Sequence, residues 1–258
     1  MDQTELIHNT AWDTLIILDA CRFDMFKEVY KQYVYGDLQM VESPAGATHE
    51  WLKKTFNEFH DCTVYSAHPG INSKDFEVFG YQPNLHFLEI KDLWEEGWDN
   101  IIGGSDAGSI NKRVMNDIQN KEWHGRNILW YMQPHFPWLG ETRIPTKEFE
   151  ERGVREWDRE AYMDLRNGKF DREFVRKAYE DNIRYVMKYV NQISHRIRGK
   201  IIVTSDHGEL LMDDGLPEDK QFGHFDDLHS IRPELREVPW LELQLSRRKP
   251  YTRQVGMR

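Results

Sequence analysis

The feature of this sequence that most constrains its fold is a set of short apolar runs that each stop abruptly at a polar side chain. The run Ile201–Thr204 is rich in β-branched residues and leads into Asp206 and His207. A similar run, Thr14–Leu18, stops at Asp19. Such runs are typical of buried parallel strands, and open α/β sheets bind ligands at the C-terminal ends of those strands. Asp206 and His207 therefore have two possible roles, in a ligand site or in capping the next turn.

A third strand end presents a histidine. The apolar residues 127–132 are followed by Gln133-Pro134-His135-Phe136-Pro137-Trp138. Because proline fixes its own φ and keeps the preceding residue extended, the two prolines hold His135 on a stiff, non-helical loop. The carboxyl ends of neighbouring parallel strands meet at one edge of a sheet. The sequence therefore predicts that Asp19, His135 and the Asp206-His207 pair belong to one site.

The rest of the chain alternates between strand and helix patterns. Further strands are predicted at residues 34–41, 62–67, 85–90 and 237–243, and helices at residues 22–30, 49–59, 107–119 and 172–197. This alternation predicts an α/β fold with a mostly parallel central sheet, formed by residues 1–258 as a single domain. The segment from about 141 to 168 is dense in charge and has little apolar periodicity. We expect it to be a surface excursion that could cover the site as a lid.

Thr48 stands at the junction between a loop of small residues and the helix predicted at residues 49–59. At a helix N-cap, a threonine hydroxyl accepts a hydrogen bond from a backbone N–H two or three residues further on. A helix N-terminus also attracts anions, so a phosphate-like group brought to Thr48 would meet oriented N–H donors. The sequence alone leaves capping and anion chemistry open as the role of Thr48.

Composition narrows the class of protein. A net charge of −10, with a pI near 5.6, argues against a broad nucleic-acid-binding face. The basic cluster in residues 247–258 is expected to be solvated. Cys21 and Cys62 form no disulfide framework, and the sequence shows no signal peptide and no apolar run long enough to span a membrane. These observations predict a cytoplasmic protein without a membrane partner, and they do not indicate an oligomeric state.

The predicted site has the donor atoms of a divalent metal centre. Asp19 and Asp206 offer carboxylate oxygens, His207 offers an imidazole nitrogen, and Thr48 can add a hydroxyl. This set suits Zn²⁺ or Mn²⁺, and coordination would lower the pKa of a threonine hydroxyl enough to make it a nucleophile. His135 and His224 could then donate to the equatorial oxygens or to the leaving group of a phosphoryl or sulfuryl ester.

Two other functional classes remain open. A serine hydrolase would use Ser105 with His207, although Gly103-Gly104-Ser105-Asp106-Ala107 lacks the second glycine of a nucleophile elbow. In that segment, Asp106 is instead predicted to cap the helix at residues 107–119. A non-catalytic binding protein that retains the fold is the other alternative.

Five segments together resemble the sulfatase-like branch of the alkaline phosphatase superfamily. They are Leu-Asp-Ala-Cys-Arg-Phe-Asp at 18–24, Ser-Pro-Ala-Gly-Ala-Thr-His-Glu-Trp-Leu at 43–52, Gln-Pro-His-Phe-Pro-Trp at 133–138, Thr-Ser-Asp-His-Gly-Glu at 204–209 and Phe-Gly-His at 222–224. The resemblance implies a three-layer α/β/α sandwich and a metal-dependent hydrolase or transferase of phosphate or sulfate esters. It also implies site roles, which are metal ligation by Asp19, Asp206 and His207, nucleophilic attack by Thr48, and binding of a second metal or of the substrate anion by His135 and His224.

The sequence departs from that family at two points. Sulfatases mature a Cys or Ser in C/S-x-P-S-R to formylglycine, whereas this chain has Thr48-His49-Glu50-Trp51-Leu52. Two-metal members carry an Asp four residues before the His of their second site, and here Tyr131 stands four residues before His135. We therefore predict a phosphoesterase or phosphotransferase that acts on a small-molecule ester through a phospho-threonine intermediate, with one metal site and an uncertain second site. A sulfuric ester hydrolase is the alternative.

Overall fold

The protein is organised around a central sheet, seen in a computed structural model that describes residues 1–77, 79–99, 104–144, 159–225 and 231–244. The strands in the described residues are β1 (Thr14–Leu18), β2 (Gly36–Glu42), β3 (His60–Ser66), β4 (Phe87–Asp92), β5 (Trp98–Asp99), β6 (Gly104–Ser105), β7 (Arg126–Tyr131), β8 (Ile201–Thr204), β9 (Leu210–Leu211), β10 (Phe222–Gly223) and β11 (Glu237–Leu243). Seven of them form the central sheet, while β5 pairs with β6 and β9 with β10.

The central sheet is mostly parallel, as the sequence predicted. Its strand order is β2-β11-β8-β1-β7-β3-β4. Parallel pairs join β1 to β8 and β7, and β3 to β7 and β4, whereas β11 runs antiparallel to both β2 and β8. The carboxyl ends of β8, β1, β7 and β3 consequently lie side by side at one edge of the sheet.

Helices cover both faces of this sheet. They are α1 (Gln3–Asn9), α2 (Phe23–Val29), α3 (Thr48–Thr55), α4 (Leu93–Glu96), α5 (Ala107–Gln119), α6 (Arg159–Arg166), α7 (Arg172–Ser194) and α8 (Pro233–Arg236). One hydrophobic cluster joins the sheet to α2, α5 and α7, and a second joins its other face to α1 and α3. The predicted three-layer α/β/α architecture is confirmed.

Strand β1 shows why its sequence is continuously apolar. Successive side chains of a strand point to opposite faces. Ile16 and Leu18 therefore enter the cluster beneath α2 and α7, whereas Leu15 and Ile17 enter the cluster on the other face. All four side chains are fully buried. A central strand that is covered on both faces favours apolar side chains, and from Leu15 to Leu18 this strand carries no polar one before it ends at Asp19.

The long helix and its cap agree with the predicted pattern. Helix α7 begins after Asp171, whose carboxylate accepts a hydrogen bond from the Phe174 backbone N–H at 2.8 Å. The helix ends at Ser194, three residues earlier than predicted, and Ile197 still packs into the cluster from the turn that follows. Periodicity thus located the helix, although an apolar residue beyond its end extended the predicted range.

Helix α3 is shorter than predicted because its last apolar residue leaves the helix to pack in the core. The helix was expected to reach residue 59, but it ends at Thr55. The Phe56 ring lies 5.4 Å from that of Trp51 and 5.1 Å from that of Phe87, measured between centroids. These aromatic contacts fix the chain direction toward β3, which begins at His60.

Part of the charged segment predicted at about 141–168 is helical. Helix α6 lies within it, and Leu165 on that helix is fully buried. Because the segment is dense in charge, the sequence analysis did not predict this helix. Residues 145–158, on which the expected lid depends, and the basic residues 247–258 lie outside the described residues.

Gln3 links helix α1 to two other elements below the carboxyl edge of the sheet. Its amide nitrogen donates to the Thr204 hydroxyl at 2.8 Å, and its amide oxygen accepts from the Trp51 indole at 2.8 Å. The Gln3 side chain is fully buried.

Because substitution would leave the buried indole N–H without a partner, we expect Gln3→Ala to lower the free energy of unfolding by about 1–3 kcal/mol in urea denaturation. Gln39→Ala, at an exposed position on β2, is the control and should change it by less than about 0.5 kcal/mol. Equal effects of the two variants would contradict a bridging role for Gln3.

Candidate active site

Asp206 is held rigidly at the end of β8. Its Oδ1 accepts hydrogen bonds from the backbone N–H groups of Ala20, at 3.1 Å, and of His207, at 2.9 Å. Its Oδ2 accepts the hydroxyl of Thr48 at 2.7 Å. The residue is fully buried. The carboxylate therefore joins the ends of β1 and β8 and the start of α3 at a single point.

The imidazole of His207 is oriented to present its Nε2 atom to the same point. Its Nδ1 lies 2.7 Å from the Gly208 carbonyl oxygen, which can only accept, so Nδ1 carries the proton and Nε2 a lone pair. Nε2 lies 3.2 Å from the Thr48 hydroxyl and 3.3 Å from Asp206 Oδ2. Burial, and then repulsion from His224, hold the pKa of His207 well below its usual range. A neutral imidazole anchored through its other nitrogen is the form that ligates metals.

Asp19, at the end of β1, is a buried carboxylate without a compensating partner. Among the described residues, neither of its oxygens accepts a hydrogen bond of normal geometry, although the Trp130 indole lies close enough to offset part of the cost. Its Oδ1 lies 4.0 Å from His207 Nε2. Burial, followed by repulsion from Asp206 and Glu209, raises the pKa of Asp19 well above its usual range. Burial of an unpaired carboxylate costs free energy, and a positive charge beside it would offset that cost.

A divalent cation fits this arrangement. One ligand atom each from Asp19, Asp206 and His207 lies within 4.8 Å of the others, and all three residues are buried. The Thr48 hydroxyl adjoins both Asp206 and His207. Two carboxylates, an imidazole and a hydroxyl form a donor set that suits Zn²⁺ or Mn²⁺, and a dication would neutralise the orphaned Asp19. The four residues singled out from the sequence therefore come together in the structure.

Thr48 does not cap helix α3, which was one of the two roles that the sequence left open. The N-cap is Ala47, which makes no side-chain hydrogen bond, and Thr48 is the first residue of the helix. Its hydroxyl donates instead to the buried carboxylate of Asp206. The preceding loop is fixed by the Ser43 hydroxyl, which donates to the Asp206 carbonyl at 2.5 Å. The threonine is thus positioned by the site rather than by the helix.

A second group of potential ligands lies beside the first. It consists of His135, Glu209 and His224, whose ligand atoms also lie within 4.8 Å of one another. Glu209 Oε1 is 3.1 Å from His224 Nδ1, and Glu209 Oε2 is buried without a hydrogen-bond partner among the described residues. The His224 ring is 4.3 Å from that of His207 between centroids, and 5.3 Å from that of His135. The two groups therefore form one continuous site.

The sequence reading anticipated two members of this second group and missed Glu209. It looked for a carboxylate four residues before His135, where Tyr131 in fact donates its hydroxyl to Asn111. The carboxylate comes instead from the loop after β8, three residues beyond Asp206. The signal was present in the segment Asp-His-Gly-Glu, whose final residue follows the same strand end.

His68 is the other residue that the sequence reading missed. Its Nδ1 accepts the Gly70 backbone N–H at 2.9 Å, so Nε2 carries the proton, and Nε2 lies 3.6 Å from Asp19 Oδ2. Burial, which is the largest effect, lowers the pKa of His68 and keeps it neutral. His68 follows β3 just as Asp19 follows β1, so the rule that located Asp19 would also have found it.

Ser105 does not adopt the arrangement of a serine nucleophile in the described residues. Its hydroxyl lies 3.4 Å from the Trp94 carbonyl oxygen, and no hydrogen bond joins it to a described imidazole. Asp106 caps helix α5, as predicted, by accepting the Gly108 backbone N–H.

The loops that carry the two ligand groups are fastened together by Arg22. This guanidinium is buried and donates through Nη1 to Asp213 at 2.8 Å and to the Glu209 carbonyl at 3.2 Å. Its Nε and Nη2 atoms donate to the two oxygens of Asp24 at 2.9 and 2.7 Å. The turn after Asp19 and the loop of Glu209 are consequently held in one arrangement.

Gly208 allows the loop after Asp206 to pass close to helix α8. A Cβ atom at this position would lie 2.0 Å from the Glu234 carbonyl oxygen and 3.2 Å from Arg22 Cγ. Only glycine fits such a close approach to backbone. The Asp-His-Gly sequence is therefore explained by sterics at its third position as well as by ligand chemistry at the first two.

No family model matches this sequence, and no curated protein matches it. Solved structures do resemble it. The soluble domain of lipooligosaccharide phosphoethanolamine transferase A from Neisseria meningitidis aligns with 89% of this chain and 75% of that domain, at a TM-score of 0.60 and 13% identity. A second neighbour is the C-terminal periplasmic domain of EcEptC from Escherichia coli, in complex with Zn. Its alignment covers 95% of this chain and 75% of that domain, at a TM-score of 0.50 and 12% identity. These likenesses confirm the predicted three-layer α/β/α fold.

The integral membrane form of the Neisseria enzyme matches at a TM-score of 0.54 and 13% identity. The alignment covers 89% of this chain but only 47% of that protein, so the chain spans about half the length of the membrane enzyme.

The predicted cytoplasmic location is contradicted, because the E. coli neighbour is a periplasmic domain. The cysteine argument failed for a physical reason. Cys21 and Cys62 are buried free thiols, and burial raises the pKa of Cys62 to about 12 and that of Cys21 well above its usual value. Shielded, protonated thiols persist in reducing and oxidising surroundings alike, so they do not identify a compartment. Among the described residues, no helix combines the length and the apolar character needed to cross a bilayer.

Removal of the Asp19 charge tests the electrostatics of the site. Because the carboxylate is unpaired and repelled by its neighbours, we expect Asp19→Asn to raise the free energy of unfolding of chelator-treated protein by about 1–3 kcal/mol. The same variant should lose the stabilisation that added Zn²⁺ confers on the wild type. Thermal unfolding with chelator or with Zn²⁺ measures both effects, and Asp61→Asn, at an exposed position, is the control. A variant that is destabilised in chelator and still stabilised by Zn²⁺ would show that Asp19 is not a ligand.

Loss of the Arg22 guanidinium should be costly because it leaves Asp213 buried with one fewer cation. We expect Arg22→Met to lower the free energy of unfolding by about 3–5 kcal/mol. The control is Arg184→Met, which removes a partly exposed ion pair with Glu180 on α7 and should cost less than about 1 kcal/mol. Urea denaturation of the two variants compares the effects, and similar values would indicate that Arg22 does not fasten the loops.

Proposed function

We propose that this protein is a divalent-metal-dependent phosphoesterase or phosphotransferase in which the Thr48 hydroxyl attacks phosphorus. The observation that carries this proposal is the position of that hydroxyl, 2.7 Å from Asp206 Oδ2 and 3.2 Å from His207 Nε2. A hydroxyl placed between a carboxylate and a neutral imidazole, beside an unpaired carboxylate, has the surroundings of an activated nucleophile.

The residues that would hold the metal are Asp19, Thr48, Asp206 and His207. Zn²⁺ or Mn²⁺ bound there would lower the pKa of the Thr48 hydroxyl and stabilise negative charge on the phosphoryl oxygens. The chain's own contribution is positional. Asp206 is fixed by two backbone donors, and His207 by its hydrogen bond to the Gly208 carbonyl, so neither has to reorganise when a substrate binds.

The proposed first step is an in-line displacement. A bond forms between Thr48 Oγ and phosphorus while the bond from phosphorus to the ester oxygen breaks. The hydroxyl proton passes to Asp206 Oδ2, which already accepts it in the structure. The leaving oxygen takes a proton from water and departs as an alcohol. The hydroxide left by that protonation, or an acceptor alcohol that it deprotonates, then attacks the phospho-threonine, and Thr48 Oγ takes back the proton held by Asp206 Oδ2 as it leaves phosphorus.

The start of α3 supports binding of the phosphoryl group. Thr48 is the first helical residue, so the backbone N–H groups of the first turn lie next to its hydroxyl. Helix N-termini of this kind bind phosphate oxygens. The group of His135, Glu209 and His224 lies beside it and would hold either a second divalent metal or the remaining phosphoryl oxygens.

Phosphate is favoured over sulfate as the ester group for two reasons. Formylglycine arises from Cys or Ser, and the residue beside Asp206 and His207 is a threonine. The solved neighbours with the same fold include the soluble domain of a phosphoethanolamine transferase, and another neighbour, a domain of EcEptC, is in complex with Zn. A sulfuric ester hydrolase has no comparable support among the described residues.

Trapping the intermediate tests the nucleophile directly. Protein loaded with Zn²⁺ or Mn²⁺ is mixed with an aryl phosphate ester and quenched in acid, and the peptide that contains Thr48 is analysed by mass spectrometry. We expect this peptide to gain one phosphoryl group, and Thr48→Ala to lower turnover by about 10³-fold or more. Chelator should abolish turnover, and readdition of metal should restore it.

Two matched variants serve as controls for that experiment. Thr48→Ser retains a hydroxyl and should retain a phosphorylated peptide. Thr55→Ala removes a buried threonine hydroxyl from the other end of the same helix and should leave turnover within about two-fold of wild type. Full turnover by Thr48→Ala would exclude Thr48 as the nucleophile, and loss of turnover in Ser105→Ala alone would transfer that role to Ser105.

A further inference from the structure

A cavity of about 350 Å³ opens beside the two ligand groups. It is lined by the imidazoles of His68, His135 and His224 and by the apolar or aromatic side chains of Trp98, Met132 and Tyr162, which together are called the apolar wall. Its volume lies near the lower limit of small-molecule sites, which is room for a phosphoryl group and a substituent about the size of one ring.

The imidazoles of this lining adjoin the proposed reaction centre. His68 Nε2 lies 3.6 Å from Asp19 Oδ2. The His224 ring contacts the His207 ring at 4.3 Å between centroids. A phosphoryl group attacked by Thr48 would therefore lie next to this cavity, and the organic part of the ester would extend into it.

Neighbouring residues hold the apolar wall in place. Tyr162, on α6, packs its ring 5.7 Å from Phe222 and 6.3 Å from Phe136. Met132 directly follows β7 and is almost completely buried. Trp98 lies on β5, which is held by its pairing with β6.

We propose that the apolar wall binds the organic group of the phosphate ester, and that this group is uncharged and aromatic or apolar; the proposal rests on the proposed function. Among the described residues that line the cavity, none carries a carboxylate or a lysine or arginine side chain. An ammonium or a second anion would lose its hydration there without gaining an ionic partner. A flat apolar group would instead gain contact with an indole, a thioether and a phenol ring.

Binding of phosphonates tests this proposal without depending on turnover. Phenylphosphonate, methylphosphonate and 2-aminoethylphosphonate share one head group and differ only in the organic part. Isothermal titration of Zn²⁺-loaded protein should show phenylphosphonate binding about 10-fold or more tightly than either of the others. Trp98→Ala should lower the affinity for phenylphosphonate by about 10-fold and leave that for methylphosphonate within two-fold.

Two further variants keep the test decisive. Phe79→Ala removes an aromatic side chain that is 75% exposed and does not line the cavity, and it should change neither affinity. If Trp98→Ala does not fold, Met132→Ala removes another side chain of the apolar wall. It should also weaken the binding of phenylphosphonate selectively.

The outcomes separate the two proposals. If methylphosphonate binds but 2-aminoethylphosphonate binds as tightly as phenylphosphonate, the substrate class is wrong and the phosphoryl site stands. The same holds if both cavity variants keep the affinity for phenylphosphonate. If no phosphonate and no inorganic phosphate binds to Zn²⁺-loaded protein, the proposed function fails and the substrate class with it.

Discussion

The structure depends on a concentration of negative charge at one edge of a parallel sheet. Asp19 and Asp206 stand at the ends of adjacent strands β1 and β8, both buried, and Glu209 lies close enough to repel Asp19. Much of the surrounding architecture limits the cost of this arrangement. Backbone N–H groups and the Thr48 hydroxyl satisfy Asp206, and Arg22 fastens the loops, while Asp19 accepts no hydrogen bond of normal geometry from the described residues. The site therefore carries negative charge that is only partly compensated, and a divalent cation bound there would remove that cost.

The fold was predictable because the central strands are buried on both faces. Continuous apolar runs identified β1, β7 and β8, and the polar residues that stopped them marked the functional edge of the sheet. Element ends were less predictable, because tertiary contacts determine them. Phe56 leaves α3 to pack against Trp51, and Leu165 anchors a helix inside a segment whose charges suggested none. Neither contact has a signal in local sequence periodicity.

The candidate site was predictable to the extent that its members follow strands. Asp19, His135, Asp206 and His207 were found this way, and His68 follows β3 by the same rule, although it was overlooked. The sequence left both capping and anion chemistry open for Thr48, because a capping preference is local, whereas the position of the hydroxyl depends on a carboxylate that is distant in sequence. Glu209 was missed because the search for a second carboxylate was confined to the neighbourhood of His135. The predicted cellular compartment was wrong because buried, protonated thiols persist in both reducing and oxidising surroundings.

Strand β11 has a consequence for the order in which the protein assembles. Among the described strands of the central sheet, β2 pairs only with β11, which lies far along the chain, and β11 in turn runs antiparallel to β8. The loop and helix that carry Thr48 follow β2 directly. Until β11 has been synthesised and has entered the sheet, β2 has no neighbour among the described strands. A ribosome-bound chain can therefore build the carboxylate edge on β1, β7 and β8 before the strand that precedes Thr48 joins the sheet. The topology places β11 and β2 last in the assembly of the described sheet.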